Sequence, residues 1–154
     1  MIHIGTAGWS YEDWKGRVYP ASPPKGWDAL TYIATLFNCV EINSPFYRPC
    51  PASMAEGWVR KVAARPDFIF TVKLWERFTH GTEAWSETEA RLVQEGLAPL
   101  FQAGKLGALL MQFAWNFRDS AESRDRVRRI AEAFAGWAPL VVEVRHVSWR
   151  APDA

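Results

Sequence analysis

Short apolar runs alternate with helix-period runs along this chain, and no other feature restricts its fold as strongly. Strand signals fall at Ile2–Gly5, Cys39–Asn43, Phe68–Lys73, Gly107–Phe113 and Leu140–Arg145, each short, apolar and followed by polar loop residues. Helical stripes lie between them. Asp28 suits an N-cap ahead of Leu30, Ile33, Ala34 and Phe37. Pro51 suits a first turn ahead of Met54, Trp58, Val59 and Val62. Leu92, Val93, Leu97, Leu100 and Phe101 form a third stripe, which Pro99 is expected to kink. Val127, Ile130, Ala131 and Phe134 form a fourth, with Arg124, Arg126, Arg128 and Arg129 read as its solvated face. Lys15–Lys25, with its Pro, Gly and Ser, reads as the one long loop.

Strict alternation of this kind implies parallel strands joined by right-handed crossovers, with the helices outside. Two α/β architectures meet that description: an open doubly wound sheet and a TIM (β/α)8 barrel. In the open sheet both faces of a strand pack against helices and both should be apolar. Here one face repeatedly carries polar groups. Cys39, Glu41 and Asn43 share a face because side chains alternate along a strand, with Val40 and Ile42 opposite. Thr71 and Lys73 share a face of the third segment, Gln112 lies on the fourth, and Glu143 and Arg145 share a face of the fifth. A barrel interior explains this, since the upper layer of inward side chains faces the site at the carboxyl ends of the strands. The pattern therefore predicts a barrel. A closed one needs roughly 250 residues, so a chain of 154 is expected to supply only the first five strands and their helices, as a single domain over residues 1–154.

Composition narrows the function classes. Hydrophobic residues make up 49% and charged residues 23%, a globular balance with no sign of disorder. A net charge of +1 provides no global field toward nucleic acid or an acidic membrane. No apolar run approaches membrane-spanning length, and strand-like sequence begins at Ile2, so the chain is expected to be cytoplasmic. The two cysteines, Cys39 and Cys50, fit neither a disulfide framework nor a zinc spacing. Most of the nine Trp are expected to serve packing, with ring recognition as the alternative for individual ones.

Five segments in order carry a family resemblance: IGTAGWSYEDWKGRVYP (Ile4–Pro20), VEINSPFYRP (Val40–Pro49), FTH (Phe78–His80), LGALLMQF (Leu106–Phe113) and VEVRHVSW (Val142–Trp149). Together they resemble the YecE-like proteins, domain-of-unknown-function family 72. The resemblance implies a TIM barrel of unestablished activity. The likeness of that barrel to endonuclease IV and sugar isomerases points, by analogy of fold alone, to nucleic acid or sugar. The chain departs from the family pattern at Ala7, where Ser is common, and at Pro45, where Thr is common. It departs again at Ala114–Trp115, where Pro-Pro is usual. All three lie in or near loops.

The candidate site residues are those at the carboxyl ends of the strands: Trp9, Glu41, Asn43, Tyr47, Lys73, His80, Gln112, Glu143, Arg145 and His146. Glu41 and Glu143 are candidates for acid/base work, and Lys73 and Arg145 for holding a phosphate or carboxylate. Trp9 and Tyr47 offer stacking faces. Glu41–Lys73 and Glu143–Arg145 also read as interior ion pairs that neutralise one another. A Schiff-base role for Lys73 ranks low, since a nearby Glu41 would raise the amine pKa. His3, His80 and His146 fall on separate segments without metal-ligand spacing, so no metal site is assigned and no cofactor is named. Two classes stay open. One is an enzyme acting on a phosphorylated or nucleic-acid-like ligand, if so a hydrolase or isomerase of the barrel type. The other is a non-catalytic protein binding a sugar or small anion. Open sheet edges are expected to favour self-association.

Overall fold

The computed structural model describes residues 2–150. Strands β1 (Gly5–Ala7), β2 (Cys39–Ile42), β3 (Ile69–Lys73), β4 (Leu106–Gln112) and β5 (Leu140–Glu143) form one parallel sheet in sequential order. Helices α1 (Ala29–Leu36), α2 (Ala52–Lys61), α3 (Glu76–Thr79), α4 (Glu87–Gln102) and α5 (Ala121–Ala133) fill the crossovers. Caps mark the starts of α1, α4 and α5. The Asp28 carboxylate accepts the Thr31 N–H at 2.9 Å and pairs with Lys61 at 2.7 Å, tying the start of α1 to the end of α2. Ser86 and Glu89 form a reciprocal capping box on α4, and Ser120 accepts the Ser123 N–H on α5.

The sheet has two unlike faces. Val40, Ile42, Phe70, Val72, Leu109 and Met111 are buried within the hydrophobic core, which the helices complete. Cys39, Glu41, Thr71, Lys73, Gln112 and Glu143 stay half-buried on the other face. The backbone registers Glu41 with Thr71, Lys73 with Leu110 and Gln112 with Glu143. Among the described residues β1 and β5 each pair on one side only, and Val141 and Val142, on opposite faces of β5, are 48% and 44% exposed. No helix among the described residues is long and apolar enough to cross a membrane.

Several expectations need correction. The first strand begins at Gly5 and not at Ile2, and Ile2 and Ile4 are exposed. The Asn38 side chain takes the Ile4 N–H at 2.8 Å and donates to the Ile2 carbonyl at 3.1 Å, while its backbone N–H donates to the Ile4 carbonyl at 3.3 Å, so this stretch is tied to one residue ahead of β2. β2 stops at Ile42, because Asn43 turns to φ −94°, ψ −25° and leads into a 3-10 turn, Ser44–Phe46. Met54, Leu92 and Phe101 are exposed. The buried side of α4 is Ala90, Val93, Gly96, Leu97 and Leu100, and the helix runs on through Pro99 to Gln102. Arg126 is no solvated residue: it is half-buried and bonded to backbone carbonyls of another element.

Candidate functional site

The polar groups at the carboxyl ends of the strands are placed by the loops that follow β2, β3 and β5. After β2, the 3-10 turn buries Pro45 and presents Phe46 and Tyr47. Lys73, the last residue of β3, holds its Nζ over the Phe46 ring, 4.4 Å from the centroid. His80, just past α3, meets the same ring edge-on at 5.1 Å. One aromatic ring thus seats a cation and an imidazole side by side. Thr79 Oγ1 lies 2.9 Å from His80 Nδ1 and helps fix the imidazole orientation. The His80 pKa is lowered from its ordinary 6.5, first by burial and then by the charge on Lys73; Arg126 and Arg145 act in the same direction and Glu76 opposes them. The imidazole is thereby biased toward its neutral form.

A second group joins β4 to β5. Gln112 Nε2 donates to Glu143 Oε2 at 2.6 Å, and Arg145 Nε donates to Glu143 Oε1 at 2.7 Å. The Gln112 bond, followed by Arg145, holds the Glu143 pKa below the usual carboxylate range. Glu143 is an ionised acceptor with both oxygens engaged. The Lys73 charge is felt at Glu143, and the Arg145 charge at His80, so the two groups share one electrostatic neighbourhood.

The remaining candidates divide. Tyr47 and His80 line a cleft of about 380 Å³ with Trp75, Glu76, Arg77 and Gly81. Trp9 and Asn43 line a separate one of about 270 Å³ with Gly8, Ser10, Tyr11, Ile42 and Ser44. The Trp9 ring also packs edge-on against Trp58 at 6.2 Å, and its carbonyl accepts the Tyr19 hydroxyl at 2.6 Å. His146 serves a turn: its Nδ1 accepts the Ser148 N–H at 3.1 Å, while Ser148 Oγ accepts the Asp119 N–H at 2.8 Å. The expected Glu41–Lys73 pair does not form. Glu41 is level with Thr71, and Lys73 lies two residues further along β3, a rise of roughly 6.6 Å. Among the described residues no cluster of three His, Cys, Asp or Glu could hold a metal ion.

Two contributors escaped the sequence reading. Phe46, the shared seat of Lys73 and His80, lay unremarked inside VEINSPFYRP. Arg126 did carry a signal. It stands four residues before the buried Ile130, on the inward stripe of α5, where a purely solvated arginine is out of place.

A five-stranded parallel sheet flanked by helices makes this an α/β protein, with polar side chains gathered at the carboxyl ends of its strands. The family described as "Protein of unknown function DUF72" matches residues 3–154, and the chain belongs to it. It is 29% identical over 160 residues to UPF0759 protein YunF of Bacillus subtilis (strain 168), covering 99% of this chain and 53% of that protein. A crystal structure of a DUF72 family protein from Thermotoga maritima MSB8 superposes with a TM-score of 0.82 at 29% identity, covering 99% of this chain and 59% of that one. A DUF72 family protein from Enterococcus faecalis V583 gives 0.82 at 26% identity, with coverage of 99% and 54%. The chain thus spans little more than half the length of these relatives.

Proposed function

We propose that the strand-end mouth binds a small phosphorylated or carboxylated ligand, and that the sheet is the leading part of a (β/α)8 barrel whose interior carries this site. Lys73 carries the reading. It is a half-buried cation on the polar face, seated on Phe46, and no carboxylate of the described residues forms an ion pair with it. Charges withdrawn from water ordinarily come paired, and an entering anion completes the pair. Arg145, bound to Glu143 through Nε, supplies a second cation. Tyr47 and Trp9 provide apolar walls for a sugar or base, and Asn43 and Gln112 polar contacts. Glu143 is the clamp that orients Arg145, so proton transfer falls to Glu41 and to His80.

A second reading, binding without turnover, gains from the same lock on Glu143, which removes one member of the expected carboxylate pair. A polymeric nucleic acid is less favoured at a net charge of +1.

Calorimetric titration with inorganic phosphate and with a small sugar phosphate tests the proposal. The wild type should bind both, with affinity falling only modestly between low and moderate salt, whereas a polyanion contacting many phosphates falls steeply. Lys73→Met and Arg145→Gln should each weaken binding by about tenfold or more, the worth of one charge-assisted contact. Affinity should also rise as the pH falls toward the lowered His80 pKa. An anion stabilises the protonated imidazole, so binding is coupled to proton uptake at His80. Unchanged affinity in Lys73→Met defeats the reading.

A further inference from the structure

We infer that Arg126 is a positioning residue for His80: its guanidinium reaches from α5 and clamps the two backbone carbonyls that flank the histidine. Arg126 Nε donates to the Phe78 carbonyl at 2.8 Å, and Nη2 donates to the Gly81 carbonyl at 2.6 Å. This inference rests on the reading of the mouth as a ligand site.

The turn around His80 needs such a strut. α3 is a single turn of four residues, Glu76–Thr79, and a lone turn has almost no stability of its own. The His80 and Gly81 N–H groups both fold back onto the Glu76 carbonyl, at 2.7 and 3.0 Å. The carbonyls of Phe78 and Gly81 are left for an outside donor. A planar guanidinium, with several donors in a fixed fork, serves both at once, which a lysine ammonium does less well. The turn closes tightly at Gly81, where a Cβ would press on the Arg77 carbonyl oxygen. The Phe78 ring anchors it from below, fully buried against Trp75, Trp85 and Phe134.

Among the described residues Arg126 forms no ion pair with a carboxylate; Glu122, one turn earlier on α5, acts on it only through its field. Withdrawing a guanidinium from water is costly, and an aliphatic residue at this inward position would avoid the cost. What the arginine adds is a fixed turn and a positive charge near the imidazole. The charged groups acting on His80 are Lys73 from β3, Glu76 from α3, Arg126 from α5 and Arg145 from the end of β5. Arg126 is therefore coupled to His80 both mechanically and electrostatically.

The test is an NMR titration of the His80 imidazole in the wild type, Arg126→Gln and Arg126→Lys, each checked for folding by circular dichroism and titrated with inorganic phosphate. Arg126→Gln removes fork and charge: the His80 midpoint should move up toward 6.5 and phosphate affinity should fall several-fold. Arg126→Lys keeps the charge and serves one carbonyl, so the midpoint should stay near the wild-type value while affinity falls by less. If Arg126→Gln fails to fold, the lysine variant carries the test through its partial loss of affinity. A His80 midpoint and phosphate affinity equal to wild type in every variant that folds overturn the clamp. If the wild type binds no phosphate, the proposed ligand is overturned and Arg126→Lys decides the clamp: its His80 ring signals should move from their wild-type positions although the charge is kept, and unmoved signals overturn the clamp.

Discussion

Glu41 and Glu143 both lie on the polar face of the sheet near strand ends, yet their surroundings give them different work. Glu143 has Gln112 on one oxygen and Arg145 on the other; Glu41 has no partner at Lys73. Glu41→Gln therefore strands no buried cation, and its cost in a urea melt should stay within about 1 kcal/mol, as for solvated pairs. A loss of several kcal/mol would mean that Glu41 neutralises an interior charge after all. Glu143→Gln should cost more, and its cost should depend on pH. The folded Glu143 pKa is below its ordinary 4.5, so its stabilising contribution is present above 4.5 and is lost as pH falls through the lowered value. The wild-type advantage over Glu143→Gln should be full at pH 7 and smaller at pH 3; an equal difference at both would contradict the assignment. Lys73, Glu143 and Arg145 were legible in the sequence because charges recur on one face of strand-like segments. The partner of Lys73 was not legible, because which residues lie level depends on register, and the alternation of side chains leaves register open.

At the scale of elements, apolar periodicity located the long helices and the last four strands, since burial sets both periods, but placed the first strand too early. Ends were less legible because side chains compete for backbone groups, as Asn38 does with Ile2 and Ile4. Close approaches were illegible too. Gly96 sits inside α4 where a Cβ would run into the Cys50 carbonyl oxygen, at the start of the segment that leads into α2. Replacing a helical glycine by alanine ordinarily stabilises by up to about 1 kcal/mol. Here steric cost should win, and Gly96→Ala should destabilise by roughly 1–3 kcal/mol, as overpacking does. A urea melt decides the sign, and a stabilised variant would show that α2 and α4 can move apart freely.

For the whole molecule, strand order was legible because the barrel reading, unlike a doubly wound sheet, pairs successive parallel strands directly, and the sheet runs β1 to β5 in that order. Closure of the sheet was not legible, since it depends on what lies against its two edges. β5 leaves one edge unpaired and exposes Val141 and Val142 on its two faces. Unpaired apolar edges template association. Sedimentation velocity should show concentration-dependent self-association that Val142→Lys suppresses; a concentration-independent monomer would contradict this. The central claim is also a whole-molecule one, because Lys73, His80 and Arg145 come from separate segments that only the assembled sheet brings together. A crystal structure of the protein grown with inorganic phosphate tests it most directly. The account predicts the anion at the strand ends, within hydrogen-bond reach of Lys73 Nζ and the Arg145 guanidinium and beside His80. Phosphate bound only elsewhere, with Lys73 still resting on Phe46, would contradict it.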